Sequence, residues 1–280
     1  MATELKRPGP ILVLDRFPEL RERLLELLAG LSPEDWDRRT AAPLWSVRDL
    51  AAHLLGGDIG MLSRRRDGFT PPGKPIRSNQ DLVDLINGLN DTWVRATRRM
   101  SGSVLCDLLA HTGPLVDAYF ASLDPFAPGE PVSWAGPDRA PVWLDLAREF
   151  TERWHHQQQI RDATGRPALY EPRFLAPVLD AFARALPHSF RDVTAADGAV
   201  VKFQITGRSG GCWLLRRDPH RWELFLEASG APSAEVELSE DTAWRLFTKG
   251  LEKNDAARRA VVRGDHALAA KVFETIAIIG

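Results

Sequence analysis

Apolar residues recur every three or four positions through most of the first 165 residues, which is the spacing of amphipathic helices. This spacing predicts helices over residues 12–30, 46–66, 79–100, 103–122 and 141–165. A further helix start is predicted at Ser32–Asp35, where a capping serine precedes a proline. Gly113 and Pro114 predict a kink or break in the fourth of these helices, and the proline- and glycine-rich residues 124–141 predict a long connection. The N-terminal region is therefore predicted to be a helical bundle.

The pattern changes after Gly165, where the period of two typical of strands appears. One helix, over residues 173–187, is predicted to bridge the two regions. Strands are then predicted around residues 201–205, 212–215, 222–226 and 234–238, and helices over 241–249 and 265–278. The predicted fold class is α + (α+β), a four-helix bundle followed by a small α+β domain with a mainly antiparallel sheet. The predicted domains are residues 1–170 and 195–280, with a bridging helix and linker over 171–194.

Composition and charge narrow the classes of partner. The chain has 280 residues, a formal net charge of −2 and a sequence pI near 6.4, so neither nucleic acid nor an anionic membrane surface is expected as a partner. No run of 18 apolar residues is present, and the N-terminus lacks the core of a signal peptide, so a cytoplasmic location is expected. Cys106 and Cys212 give little support for a disulfide. The chain is expected to be a monomer or a homodimer.

Two helices carry side chains with metal-binding chemistry. His53 lies at the margin of an apolar helix stripe, where a histidine is ordinarily a satisfied core or boundary residue and a metal ligand is the alternative. Glu152 and His156 stand four residues apart, so they share one helix face and can chelate one ion. Because they lie nearly opposite the main apolar stripe, the metal interpretation requires both faces of their helix to be covered.

Other polar residues nearby compete for the same roles. His155 is adjacent to His156, with Gln158 and Gln159 one turn further on, and these three are interpreted as a polar surface or as support for the ligands. His111 could reach the bundle interior from the helix over 103–122.

Two segments resemble a known family. Residues 43–54, PLWSVRDLAAHL, resemble the segment around the first metal histidine of DinB-like metal-binding bundles and, more closely, of the mycothiol-dependent maleylpyruvate isomerase family. Residues 152–165, ERWHHQQQIRDATG, resemble that family's second metal segment, which assigns its Glu to Glu152 and its His to His156. Residues 262–265 before the final helix are similar to the family's sterol-carrier-like second domain. The Trp-Asp pair usual after the second histidine is replaced here by glutamines, which affects the substrate pocket more than the metal.

The resemblance implies a function. It implies a divalent metal held by His53, Glu152 and His156, with zinc expected and nickel or iron as alternatives. It also implies a low-molecular-weight thiol, mycothiol or a similar one, which adds as thiolate to the double bond of a small electrophilic substrate such as maleylpyruvate, allows rotation and is eliminated. The candidates for binding the substrate carboxylates are arginines of the sheet region, each of which is ordinarily a surface charge: Arg208, Arg216, Arg217 and Arg221.

The sequence therefore favours a metal-dependent thiol enzyme, either an isomerase or a thiol S-transferase. Two alternatives from other classes stay open. One is a non-catalytic DinB-like metal-binding or stress-response module, and the other is a carrier of small apolar ligands through the C-terminal domain.

Overall fold

The computed structural model of the protein describes residues 5–72, 75–227 and 231–278. Contacts between Cα atoms divide this described chain into two compact units that interleave along the sequence. The helical unit comprises residues 13–124 and 152–169, and the sheet unit comprises residues 5–12, 125–151 and 170–278. The consecutive domains expected at residues 1–170 and 195–280 stay a prediction.

The helical unit confirms the predicted bundle. Its helices are α1 (Phe17–Ala29), α2 (Val47–Gly60), α3 (Asn79–Thr97), α4 (Gly102–Ala121) and, from Glu152 onward, α5 (Val142–Thr164). A π-helical segment, Met61–Arg66, extends α2 to the predicted end at Arg66. The core of the unit is built from the apolar stripes of these helices, including Leu50 on α2, Leu105 on α4 and Ile160 on α5.

Two predicted features of the bundle differ in the structure. Ser32 and Asp35 exchange the expected backbone-to-side-chain hydrogen bonds, but they open only a 3-10 turn, Asp35–Asp37. Of the kink or break predicted at Gly113 and Pro114, the break does not occur, because α4 continues as one helix through Pro114. Buried residues on both sides of Pro114 pack into the core, and this packing outweighs the hydrogen bond that proline removes.

The connection predicted over residues 124–141 contains an unpredicted hairpin in the sheet unit. Strand β1 (Pro128–Pro131) pairs antiparallel with β2 (Arg139–Pro141). Both strands contain proline. Proline is tolerated at sheet edges, but it is rare in strands, so a short segment that contains it is not predicted to be a strand.

In the described part of the sheet unit, the main sheet has five strands in the order β5-β4-β3-β6-β7. The strands are β3 (Val200–Thr206), β4 (Gly211–Arg217), β5 (Trp222–Phe225), β6 (Ala234–Ser239) and β7 (Val261–Gly264). All neighbours are antiparallel except β3 and β6, which confirms the mainly antiparallel sheet. The helices of this unit that follow α5 are α6 (Pro172–Ala183), α7 (Leu186–Ser189), α8 (Glu240–Phe247), α9 (Lys253–Arg259) and α10 (His266–Val272).

The core of the sheet unit follows the predicted alternation. Val201, Phe203 and Ile205 on β3 are buried, whereas their polar neighbours are more exposed. Strand β7 and helix α9 are not predicted by the pattern. Within the described ranges, no helix combines the length and the apolar character needed to cross a membrane.

Candidate metal centre

The start of α2 is fixed by a capping box, which sets the position of His53 along the helix. Ser46 Oγ accepts a hydrogen bond from the Asp49 amide, and the Asp49 carboxylate accepts one from the Ser46 amide. The guanidinium of Arg98 on the segment after α3 donates two further hydrogen bonds to Asp49, at 3.0 and 3.2 Å. His53 stands one turn after Asp49, on the side of α2 that faces α5.

His53, Glu152 and His156 converge in the helical unit. His53 Nε2 lies 2.9 Å from Glu152 Oε1, and His156 Nε2 lies 3.0 Å from the same oxygen. One donor atom from each residue lies within 4.8 Å of the other two. The two imidazole rings meet edge to face, with centroids 4.7 Å apart. The structure thus brings together the residues predicted as metal ligands from segments 99 positions apart.

The cluster is more buried than a helix with a single apolar stripe would predict. Residues 154–160 of α5 are all buried, and His156 is 6% exposed. The side chains of His53 and Glu152 are 13% and 35% exposed, so the cluster opens on the carboxylate side. An open side of this kind leaves room for a further ligand at an ion held by the three residues.

The charges of the cluster are coupled. Burial raises the pKa of the Glu152 carboxyl, but His156 and hydrogen bonds from both histidines outweigh burial and hold that pKa well below its usual value. Burial lowers the pKa of His156, but the Glu152 carboxylate outweighs it and the pKa is raised. Glu152 is therefore an anion at neutral pH, which is the form that binds a cation.

His155 and the glutamines are buried, so their interpretation as a polar surface is wrong. His155 is 3% exposed and packs its ring on His156, with centroids 4.1 Å apart. Burial, followed by the neighbouring His156, lowers the pKa of His155 well below its ordinary value. Its Nδ1 has no hydrogen-bond partner among the residues described here. Gln159 supports a ligand directly, since its Oε1 lies 2.9 Å from His156 Nδ1.

Two further residues bear on the predictions for the site. The indole of Trp45, inside the segment that carries the resemblance, packs on His53 with centroids 4.8 Å apart, a contact that the sequence analysis missed. His111 is exposed on α4, so its predicted approach to the bundle interior is wrong.

A buried ion pair joins α2 to α5 near the cluster. Asp58 on α2 accepts a hydrogen bond from Arg153 on α5 at 3.0 Å and another from Thr112 on α4 at 2.9 Å. Arg153 directly follows Glu152 in the sequence, so this pair acts on the same turn of α5 that carries a predicted ligand. The sequence alone does not predict this ion pair, because an aspartate and an arginine that lie 95 positions apart give no local signal.

The candidate substrate arginines lie in the sheet unit. Arg208 is exposed in the turn between β3 and β4. Arg216 forms an ion pair with Asp218, Arg221 forms one with Glu223, and Arg217 donates to the Asp218 carbonyl. Their role in binding a substrate stays a prediction.

The donor chemistry of the cluster fits a divalent ion. Two imidazoles and one carboxylate form the donor set of catalytic zinc sites, in which three protein ligands leave at least one coordination position open. Bonds of about 2.0–2.1 Å in a tetrahedral arrangement place ligand atoms roughly 3.3 Å apart, and the two imidazole nitrogens already approach one oxygen at 2.9 and 3.0 Å.

Comparison with known structures gives the same fold. The chain is similar to a crystal structure of a histidine-to-alanine mutant of the mycothiol-dependent maleylpyruvate isomerase, with a TM-score of 0.53 and 13% identity over 89% of this chain and 90% of that chain. It is also similar to a crystal structure of the mycothiol-dependent maleylpyruvate isomerase, with a TM-score of 0.52 and 13% identity over 83% of this chain and 86% of that chain. Among curated proteins, none matches this sequence.

The family follows from the sequence of the helical region. Residues 17–161, just over half of the 280-residue chain, match the family described as the mycothiol maleylpyruvate isomerase N-terminal domain. The matched range contains all three residues of the cluster. The chain therefore belongs to the mycothiol maleylpyruvate isomerase family.

Proposed function

We propose that this protein is a metal-dependent enzyme that uses a low-molecular-weight thiol, with isomerase or S-transferase chemistry on a small electrophile. The observation that carries the proposal is the convergence of His53, Glu152 and His156 on one point of the helical unit. These residues would hold one divalent ion, with zinc expected and nickel or iron as alternatives.

The bound ion would supply a positive charge that lowers the pKa of a coordinated thiol, so that the reactive thiolate forms at neutral pH. The protein supplies the geometry. His53 and His156 are neutral donors, and Glu152 contributes one negative charge, so a divalent ion keeps a net charge of +1 that favours an anionic ligand. The partly open side at Glu152 is where a thiol would enter, and the Trp45 ring limits the space beside His53.

The isomerase reaction requires no oxidant or reductant. A thiolate sulfur adds to one carbon of an activated cis double bond, and the electron pair of that bond moves to the electron-withdrawing carbonyl of the substrate. The bond that is now single rotates, and elimination of the same thiolate restores the double bond in the trans form. An S-transferase would use the same addition or displacement and retain the new carbon–sulfur bond.

The substrate would need groups that bind its carboxylates, since maleylpyruvate-like compounds are dianions. Arg208, Arg216, Arg217 and Arg221 remain the proposed candidates. Under this proposal, replacing the relevant arginine by alanine raises KM more than it lowers kcat, because the contact is made to the ground state as well as to the transition state.

The test combines metal content with thiol binding on the full chain. Untagged protein, incubated with excess zinc and desalted, should retain about one ion per chain. After cobalt substitution, mycothiol or another small thiol should produce a sulfur-to-cobalt absorption band.

Two adjacent buried histidines provide a matched control. His156→Ala should abolish metal retention, whereas His155→Ala should preserve it, because the Nε2 of His156 faces Glu152 and the ring of His155 only packs on its neighbour. Equal losses in the two variants would contradict the ligand assignment. Metal retention with no spectral response to mycothiol, bacillithiol, glutathione or cysteine would refute the thiol enzyme and favour a non-catalytic metal-binding module.

A further inference from the structure

Gln159 makes a specific contact with the predicted ligand His156. It lies one turn after His156 on α5 and is 4% exposed. Its Oε1 lies 2.9 Å from His156 Nδ1, and an amide oxygen can only accept, so the Nδ1–H group of His156 donates. Within the residues that the structure describes, His156 is the hydrogen-bond partner of the Gln159 side chain.

The other nitrogen of the His156 ring faces the cluster. His156 Nε2 lies 3.0 Å from Glu152 Oε1, on the side where His53 Nε2 also approaches. A neutral imidazole carries a single proton, so a proton held on Nδ1 leaves the lone pair on Nε2. Nε2 is the atom that must coordinate, because it is the one that points at the cluster.

We propose that Gln159 is a positioning residue of the metal centre, which fixes the ring orientation and the Nδ1–H tautomer of His156. This inference rests on the proposed function. Partners of this kind orient metal-binding histidines in many proteins, and their loss typically costs about 10- to 100-fold in metal affinity.

The neighbouring glutamines have other partners, which makes them matched controls. Gln157 Nε2 donates to the Leu20 carbonyl on α1. Gln158 Nε2 donates to Asp162, and its Oε1 accepts from the Leu169 amide. Both are fully buried on the same helix. Their hydrogen bonds hold the backbone of the helical unit and do not involve His156.

The first experiment compares Gln159→Leu with Gln158→Leu in the full chain. Zinc affinity, measured by competition with a chelator, should fall about 10- to 100-fold in Gln159→Leu and by less than about threefold in Gln158→Leu. Thermal stability should fall in both, so stability cannot account for a difference in affinity. Nitrogen-15 NMR of the zinc-loaded protein should show a protonated Nδ1 on His156 without substitution and loss of this single tautomer in Gln159→Leu.

The second experiment uses Gln159→Glu, which keeps an acceptor oxygen at the same reach. Zinc affinity should equal or exceed that of the unsubstituted protein, because the carboxylate still accepts the hydrogen bond from His156 Nδ1. Equal zinc affinity in the unsubstituted protein and Gln159→Leu, or equal losses in Gln159→Leu and Gln159→Glu, would overturn the role of Gln159. If the unsubstituted protein binds no zinc, the proposed function itself fails.

Discussion

Removing one partner of the ion pair between Asp58 and Arg153 should strongly destabilise the helical unit. Their side chains are 8% and 18% exposed, and the two groups lie 3.0 Å apart. The Arg153 guanidinium also lies over the rings of Phe17 and Phe120. Removing one partner of a buried pair leaves an uncompensated charge and typically costs about 3–5 kcal/mol. We expect Asp58→Leu to lower the free energy of unfolding by about 3 kcal/mol, at the low end because the aromatic rings still face the guanidinium.

A double-mutant cycle tests this reasoning. Arg153→Met alone should also cost about 3 kcal/mol, at the low end because Thr112 and the charge of Arg21 still act on the Asp58 carboxylate. The double variant replaces both charges by apolar groups, so it should cost at least about 2 kcal/mol less than the sum of the single changes. The assay is urea unfolding of metal-free protein in the presence of a chelator. Additivity of the two changes to within about 0.5 kcal/mol would refute the coupling.

Three further outcomes are expected. Gly56→Ala should lower the free energy of unfolding by about 1–3 kcal/mol, because a Cβ there would lie 2.6 Å from Trp93. Gly57→Ala, which has open space around its Cβ, should raise the free energy of unfolding by up to about 1 kcal/mol in the same urea assay. Zinc at about 1,000 times its dissociation constant should raise the free energy of unfolding by about 4 kcal/mol, seen as an increase in Tm. Burial raises the pKa of Asp49, but hydrogen bonds from Arg98 outweigh burial and hold this pKa below its ordinary value. The stability that the ionised Asp49 carboxylate gives the folded protein is therefore complete above about pH 4 and is lost as the pH falls further. Arg98→Ala should therefore reduce the difference in stability between pH 7 and pH 3.

The fold could be predicted because its signals are local or repeated, and the three cluster residues because two segments, residues 43–54 and 152–165, resemble a known family. The capping serine and aspartate at the start of α2 fix where His53 falls, and the spacing of four places Glu152 and His156 on one face. The alternation of Val201, Phe203 and Ile205 identifies a strand in the same way. Each of these signals lies within a single element, so one sequence is sufficient to detect it.

The features that were missed depend on contacts between distant segments. The hairpin of β1 and β2 and the short strand β7 have few residues and little apolar alternation, so their pairing partners define them. The contact of Asp58 with Arg153 likewise joins two helices, whereas the contact of Trp45 with His53 joins α2 to the loop residue that precedes its cap. A pattern read along one helix gives no information about which side chain of another helix will face it.

The error on α5 has a different cause, and it points back to the site. A helical wheel assumes one buried face, which assigned His155, Gln158 and Gln159 to the surface, yet residues 154–160 are all buried. Burying an unpaired polar side chain typically costs about 1–3 kcal/mol, and all three glutamines of this stretch have hydrogen-bond partners. Gln157 and Gln158 bind backbone groups, whereas Gln159 binds the ring of His156. The contacts of Gln157 and Gln158 are explained by structural roles alone, because they bind the backbone of the helical unit. The contact of Gln159 serves a histidine whose other nitrogen faces a carboxylate, which is the arrangement that the proposed metal centre requires.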